Sequence, residues 1–153
     1  MASTSTFPAR SQTTHSQSVA LPAVAAPLTL LGRFLFALIF LMSAPMNFSS
    51  KTIAYAASQG VPLASIAVPL SGIIALAGGL SILLGYRARI GAWLIVLFLA
   101  VVTPMLHNFW TIADPMMHQL QFIMFMKNLS MLGGALFISQ VGTGPWSLDA
   151  RGK

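Results

Sequence analysis

The chain has 153 residues, of which 56% are hydrophobic and only 7% are charged, against about 25% charged residues in ordinary soluble domains. A water-soluble domain of this length needs a polar surface that so few charged residues cannot supply, so the composition excludes a soluble globule. Eight basic and two acidic residues give a net charge of +6, and the absence of cysteine excludes disulfide and thiolate chemistry on this chain.

The first 26 residues are polar and rich in Ser and Thr. They contain too few large apolar side chains to pack a core, so residues 1–26 are predicted to form a disordered tail. The apolar run that follows is longer than the hydrophobic region of a usual signal peptide and has no clear cleavage site after it, so we do not expect it to be removed.

Four apolar runs are each long enough, at about 1.5 Å per residue, to cross the roughly 30 Å hydrocarbon layer of a bilayer. They cover about 27–45, 63–85, 90–109 and 116–139. Between the first two runs, Ser49 or Ser50, an Ala-rich stretch and Gly60 predict a short interfacial helix over about 50–59. The predicted fold is therefore all-α: a polytopic membrane protein whose domain, residues 27–140, is a bundle of four transmembrane helices. Residues 141–153 form a C-terminal tail.

The basic residues predict the orientation of the bundle. Six of the eight lie on the side of the termini: Arg10, Arg33, Arg87, Arg89, Arg151 and Lys153. Lys51 lies on the opposite side, and Lys127 falls within the fourth span. Basic residues are enriched in cytoplasmic loops, so both termini are predicted to be cytoplasmic in a bacterial inner membrane. The basic charge thus sets topology, and we do not expect nucleic acid as a partner.

A weak internal repeat links the two halves of the domain. The first span carries Arg33 and ends in Pro-Met-Asn-Phe, the third follows Arg89 and ends in Pro-Met-Leu-His-Asn-Phe, and a Gly-Gly pair follows in each next span. Both halves cross the membrane in the same order, so this pattern suggests a parallel two-helix repeat, although apolar spans also resemble one another by composition alone.

Lys127 is the most unusual residue, because an ammonium near the middle of a membrane span is energetically expensive. The two acidic residues, Asp114 and Asp149, lie outside the spans, each roughly 20 Å or more away along the helix axis. Lys127 must therefore face a polar cavity, bind a ligand, pair with an acid of another subunit, give up its proton, or bond to backbone carbonyls as part of helix packing. On a helical wheel it points away from a polar stripe of His118, Gln121 and Asn128, which we place toward the bundle interior.

Polar and aromatic residues cluster where the third span ends and the fourth begins. His107, Asn108, Trp110 and His118 lie there at similar depth and could supply hydrogen bonds beside an apolar slot, as a quinone head group requires. Plain interfacial hydrogen bonding is the simpler explanation of these residues. Their spacing matches no metal or haem motif, so we expect neither cofactor. Arg33 lies near the start of the first span, where it can reach lipid phosphates by snorkelling or join a site.

Several segments together resemble the DoxX family of small bacterial inner-membrane proteins. They are the first span with Arg33, YAASQGVP, GGLSILLGYRARIGAW, HNFW and MFMKNLSMLGGAL. The resemblance covers about residues 30–140 and implies a four-helix membrane protein; the namesake is a subunit of a thiosulfate:quinone oxidoreductase. Lys127 and Asn128 match the Lys-Asn pair of that family. Ala75 departs from the glutamate that many such sequences carry in the second span, which weakens any proton relay taken from the family.

The sequence thus favours a membrane anchor or accessory subunit of a quinone-linked redox complex that does no bond-making alone. A small-solute transporter and a purely structural membrane protein are the alternatives. The expected partners are the lipid bilayer, a soluble or membrane redox subunit and a second copy of the chain. The candidate binding groove, with quinone as its possible ligand, comprises Lys127, Asn128, His107, Asn108, Trp110, His118, Gln121 and Arg33.

Overall fold

The computed structural model describes residues 25–142 and 144–151. The α-helices are α1 Ala25–Ser43, α2 Ser50–Ser58, α3 Ala64–Leu84, α4 Ala88–Leu106, α5 Pro115–Val141 and α6 Leu148–Arg151. Two 3₁₀ turns, Ala44–Phe48 and Phe109–Thr111, follow α1 and α4. This part of the chain contains no strand, so the predicted all-α fold is confirmed. Of the predicted tail, residues 25 and 26 belong to α1, and residues 1–24 lie outside the described ranges.

Four of these helices are long and apolar enough to cross a membrane: α1 and α4, each with its 3₁₀ turn, α3 and α5. The interior of the bundle is built mainly from small residues, including Ala37, Ala75, Ala92 and Ala135. Large Leu, Ile, Phe and Met side chains point outward from every span. A water-soluble bundle would bury those side chains, whereas lipid solvates them and close helix contact favours small residues inside. The chain is a polytopic membrane protein.

The bundle has a terminal end and a loop end. The terminal end contains the start of α1, the α3–α4 connection and residues 144–151; the loop end contains α2 and both 3₁₀ turns. All five Trp and Tyr residues are exposed and lie near one end or the other: Tyr86, Trp93 and Trp146 near the terminal end, Tyr55 and Trp110 at the loop end. Such aromatic side chains favour the two membrane interfaces, so their distribution fits a bundle that spans a bilayer.

The helices pack in the order α1, α3, α4 and α5. The contact between α3 and α4 is close because glycines line it. A Cβ on Gly78 would lie 2.9 Å from the carbonyl oxygen of Gly91, and a Cβ on Gly91 would collide with the Ser81 side chain. Glycine at both positions therefore lets the two backbones approach one another.

The seam between α1 and α5 is different, because their backbones do not pack closely. Phe36 of α1 fills the seam at Gly134, where an added Cβ would lie 3.0 Å from the ring. A twofold bundle would make this contact as close as the one between α3 and α4. Both α1 and α4 are followed by a 3₁₀ turn, as the predicted repeat of the two halves requires. The parallel repeat nevertheless stays a prediction.

Residues 144–151 fold back onto the terminal end and close it. The Asp149 side chain accepts hydrogen bonds from the backbone N–H groups of Arg87, at 2.8 Å, and Ala88, at 3.2 Å. Arg87 has a left-handed backbone, φ 46°, and cannot cap α4 with its own side chain. The carboxylate therefore caps α4 from the far end of the chain, where the orphan N–H groups of a helix start need an acceptor.

Candidate functional site

The loop end contains a chain of three hydrogen-bonding side chains. His107 Nδ1 donates to Oε1 of Gln121 at 2.7 Å, and Nε2 of Gln121 donates to the Tyr55 hydroxyl at 3.4 Å. The three residues come from the end of α4, from α5 and from α2, so these two hydrogen bonds link all three helices. Because Nδ1 carries the proton in this arrangement, Nε2 of a neutral His107 is left as an acceptor.

An aromatic cluster beside it holds two more of the predicted residues. The Phe109 ring packs edge-on against Trp110, His118, Phe122 and Phe125, with ring centroids 5.1–5.5 Å apart. Such edge-to-face pairs stabilise the fold beyond the area they bury. Phe109 therefore holds Trp110 and His118 at the surface of the loop end. The His118 side chain is exposed, so the expectation that it faces the bundle interior is wrong. The backbone carbonyl of Asn108 accepts the hydrogen bonds of Thr111 that close the 3₁₀ turn.

A cavity of about 230 Å³ lies between the first 3₁₀ turn, α2, α3 and α4. Its wall is mostly apolar, with three polar side chains: Asn47, Thr52 and Ser71. Thr52 and Ser71 are engaged in local hydrogen bonds, with Ser49 and with the Val68 carbonyl. Leu106, which precedes His107, and Ala56, which follows Tyr55, belong to the same lining. This loop-end cavity therefore adjoins the hydrogen-bonded residues His107, Gln121 and Tyr55.

Sequence reasoning missed the residues of this cavity. Asn47 belongs to the Pro-Met-Asn-Phe segment of the predicted repeat. Its amide follows an apolar span directly, and this position is the sequence signal that marks Asn47 as a candidate. Thr52 and Ser71 carry no such signal, because hydroxyls within membrane helices commonly bond to the preceding turn.

Lys127 and Asn128 lie on different faces of α5, as the helical wheel predicts. Asn128 is buried, 6% exposed, among the residues that α5 turns toward the bundle. Lys127 is exposed, and in the part of the chain that the structure describes its ammonium donates only to the sulfur of Met124, at 3.4 Å. A thioether is a weak acceptor. The structure thus does not place Lys127 along an internal path of the kind that the transporter alternative requires.

Arg33 lies inside the terminal end and is only 4% exposed, so the expectation that it snorkels to lipid is wrong. Its Nη2 donates to the Trp146 carbonyl oxygen at 2.7 Å, while Nε and Nη1 are buried without a partner among the described residues. Glycine at position 85 leaves the space in which Arg33 is buried, because a side chain at that left-handed position, φ 65°, would collide with Arg33 and Ser147. The surface beside Ser147 contains a shallow cavity of about 420 Å³.

The eight candidate residues therefore do not form one groove. His107, Gln121, Asn108, Trp110 and His118 lie at the loop end, Lys127 and Asn128 lie midway along α5, and Arg33 lies at the terminal end. Within residues 25–142 and 144–151, no three His, Asp or Glu side chains lie close enough together to hold a metal ion. Asp114 instead caps α5 by accepting from the Met117 N–H at 2.8 Å.

Comparison with known proteins extends this picture. The family model described as the SURF4 family matches residues 23–153, which include all four spans and the C-terminal segment. The chain belongs to the SURF4 family. The resemblance to the DoxX family is therefore wrong: its segments are short and apolar, and apolar membrane spans resemble one another by composition.

A curated relative of this SURF4-family protein is the inner membrane protein YphA of Escherichia coli (strain K12). The two sequences are 28% identical over 127 residues, which cover 81% of this chain and 89% of YphA. No solved structure matches the chain.

Proposed function

We propose that this SURF4-family protein is a multi-pass inner-membrane protein that serves as an accessory or anchor subunit of a quinone-linked redox complex. The name of its relative YphA supports the inner membrane as its location. In this role the protein holds the head group of a quinone in the loop-end cavity, and a partner subunit carries out the electron transfer.

The observation that carries the proposal is an apolar cavity with an amide in its wall. A quinone head group is a flat apolar ring with two carbonyl acceptors, and a buried polar group without a partner costs free energy. The Asn47 amide, on the wall formed by the 3₁₀ turn, supplies a donor to one carbonyl. Phe98, Val102 and Met105 of α4 supply apolar surface to the ring.

Size and access are consistent with this ligand. At about 230 Å³ the cavity is smaller than the pockets of about 300–1,000 Å³ that enclose drug-sized ligands, so it suits one ring and not a long isoprenoid tail. Val101 lines the cavity and is half exposed, so the cavity opens toward the surface that faces lipid. A tail can remain in the bilayer while the ring is bound.

The test is the binding of a short-tailed ubiquinone, ubiquinone-1, to the full chain in lipid nanodiscs. We expect Asn47→Leu, which removes the amide at similar volume, to raise the Kd at least tenfold, and Ser71→Phe, which fills the cavity, to abolish binding. Leu70→Phe is the matched control, because Leu70 is half exposed on the outer face of α3. Equal affinities for the wild type, Asn47→Leu and Ser71→Phe would remove the proposal.

A further inference from the structure

We infer that Lys127 marks a docking surface for a transmembrane helix of another protein that carries a carboxylate near the middle of the bilayer. The inference rests on the proposed role as an accessory subunit, and it names the chemistry by which the partner is recognised.

Lys127 lies deep within its span. It is the thirteenth of the 27 residues of α5, so it lies at about the midpoint of the longest span. An ammonium there is too far from either interface to reach water by extending its stem. Charged residues at this depth pair with a group of opposite charge or face a polar cavity.

No acidic residue of this sequence lies within a span, where it could pair with Lys127. The only acidic side chains are Asp114 and Asp149, which cap α5 and α4 at opposite ends of the bundle. Lys127 is exposed and donates only to the Met124 sulfur within the described residues. A second copy of the chain brings another lysine and no carboxylate within a span. The carboxylate must therefore come from a different membrane protein.

The surface around Lys127 is open on the side of α1. Gly134 lies seven residues further along α5, on the same face, and there Phe36 of α1 covers it. Lys127 lies about 10 Å closer to the loop end, at the level where the antiparallel α1 ends at Ser43. Beyond Ser43 the chain turns to α3, where a Cβ on Gly72 would lie 2.8 Å from the Cβ of Asn47. None of the residues that the structure describes covers the seam at Lys127, whose side chain is exposed, so there is room for another helix beside them.

The test uses the full chain in phosphatidylcholine vesicles with synthetic transmembrane peptides as probes. Each peptide is a Leu-Ala helix of about 21 residues that carries Glu, Gln or Leu at its centre, and association is measured by energy transfer between dyes. We expect the Glu peptide to bind at least tenfold more tightly than the Leu peptide. Lys127→Met should abolish this preference, and Lys127→Arg should retain it. Lys51→Met is the matched control, since Lys51 is also exposed but lies in α2 at the loop end.

Three results would overturn the inference: equal binding of the Glu and Leu peptides by the wild type, a preference that survives Lys127→Met, or self-association that Lys127→Met disrupts. The last result would identify a second copy as the occupant. Ubiquinone-1 binding is measured in the same vesicles. If the protein binds quinone but shows no preference for the Glu peptide, only the docking surface is contradicted. If it prefers the Glu peptide but does not bind quinone, only the quinone-linked role is contradicted.

Discussion

Arg33 and Trp146, 113 positions apart in the sequence, are joined by a hydrogen bond of 2.7 Å from the guanidinium Nη2 to the backbone carbonyl oxygen. This bond fastens the middle of α1 to residues 144–151. The same segment is fixed to the α3–α4 connection, because the Asp149 N–H donates to the Gly85 carbonyl at 2.8 Å. Three parts of the chain are thus held together at the terminal end.

Arg33→Met should loosen residues 144–151 while changing the stability of the bundle little. Loss of a charge-assisted hydrogen bond costs about 1.5–3 kcal/mol. The substitution also removes two buried donors that have no partner within residues 25–142 and 144–151. We therefore expect hydrogen–deuterium exchange at the Asp149 amide to accelerate at least tenfold. Lys51→Met at the loop end should leave that rate unchanged, and a wild-type rate in Arg33→Met would contradict the role given to the bond.

Asp149→Ala should destabilise the protein by about 1–2 kcal/mol, because it leaves the first N–H groups of α4 without an acceptor. Asp149→Asn keeps one side-chain oxygen that can accept and should cost less. Thermal unfolding in detergent measures both effects. Asp114→Ala, which removes the cap of α5 at the other end, is the comparison. If Asp149→Ala unfolds at the wild-type temperature, the cap supplied by residues 144–151 contributes nothing to stability.

Gly91→Ala and Gly133→Ala form a matched pair on two spans. A Cβ at Gly91 would collide with Ser81, so the substitution forces α3 and α4 apart and should cost about 1–3 kcal/mol. A Cβ at Gly133 meets nothing within 4 Å, and alanine favours helix over glycine, so that variant should be neutral or more stable. Unfolding in detergent compares the two, and similar losses would show that the α3–α4 contact does not depend on glycine.

The two bonds of Gln121 should differ in strength. His107→Ala removes a hydrogen bond of 2.7 Å and should cost about 1 kcal/mol, whereas Tyr55→Phe removes one of 3.4 Å and should cost less than about 0.5 kcal/mol. A double-mutant cycle with Gln121→Leu isolates each pair. A larger loss of unfolding free energy for Tyr55→Phe than for His107→Ala would contradict this order of bond strengths.

The sequence predicts the spans well, because a run of about 20 apolar residues is a strong and local signal. The second span, predicted from residue 63 to 85, is the helix Ala64–Leu84, and the interfacial helix predicted over 50–59 is Ser50–Ser58. The first span, predicted over 27–45, is the helix Ala25–Ser43 followed by the 3₁₀ turn Ala44–Phe48. Pro45 therefore lies in the turn and not in α1.

The candidate site is less predictable, because composition gives the depth of a residue and not the direction in which its helix is rotated. Periodicity separates Lys127 from Asn128, since adjacent helix residues point about 100° apart. It cannot show that Arg33 points inward. That direction depends on the space left by glycine at position 85 and on the carbonyl of Trp146, 113 residues away. The loop-end cavity likewise depends on four elements that meet only in the folded chain.

The way residues 144–151 close the terminal end also sets an order of events during synthesis. Asp149 and the Trp146 carbonyl are made after α5, so the ribosome has already delivered all four spans before α4 acquires its cap. Until then, the first amides of α4 and the guanidinium of Arg33 depend on water and lipid phosphates for their partners. Closure of the terminal end therefore follows the synthesis of all four spans, because it needs residues that come after α5 in the chain.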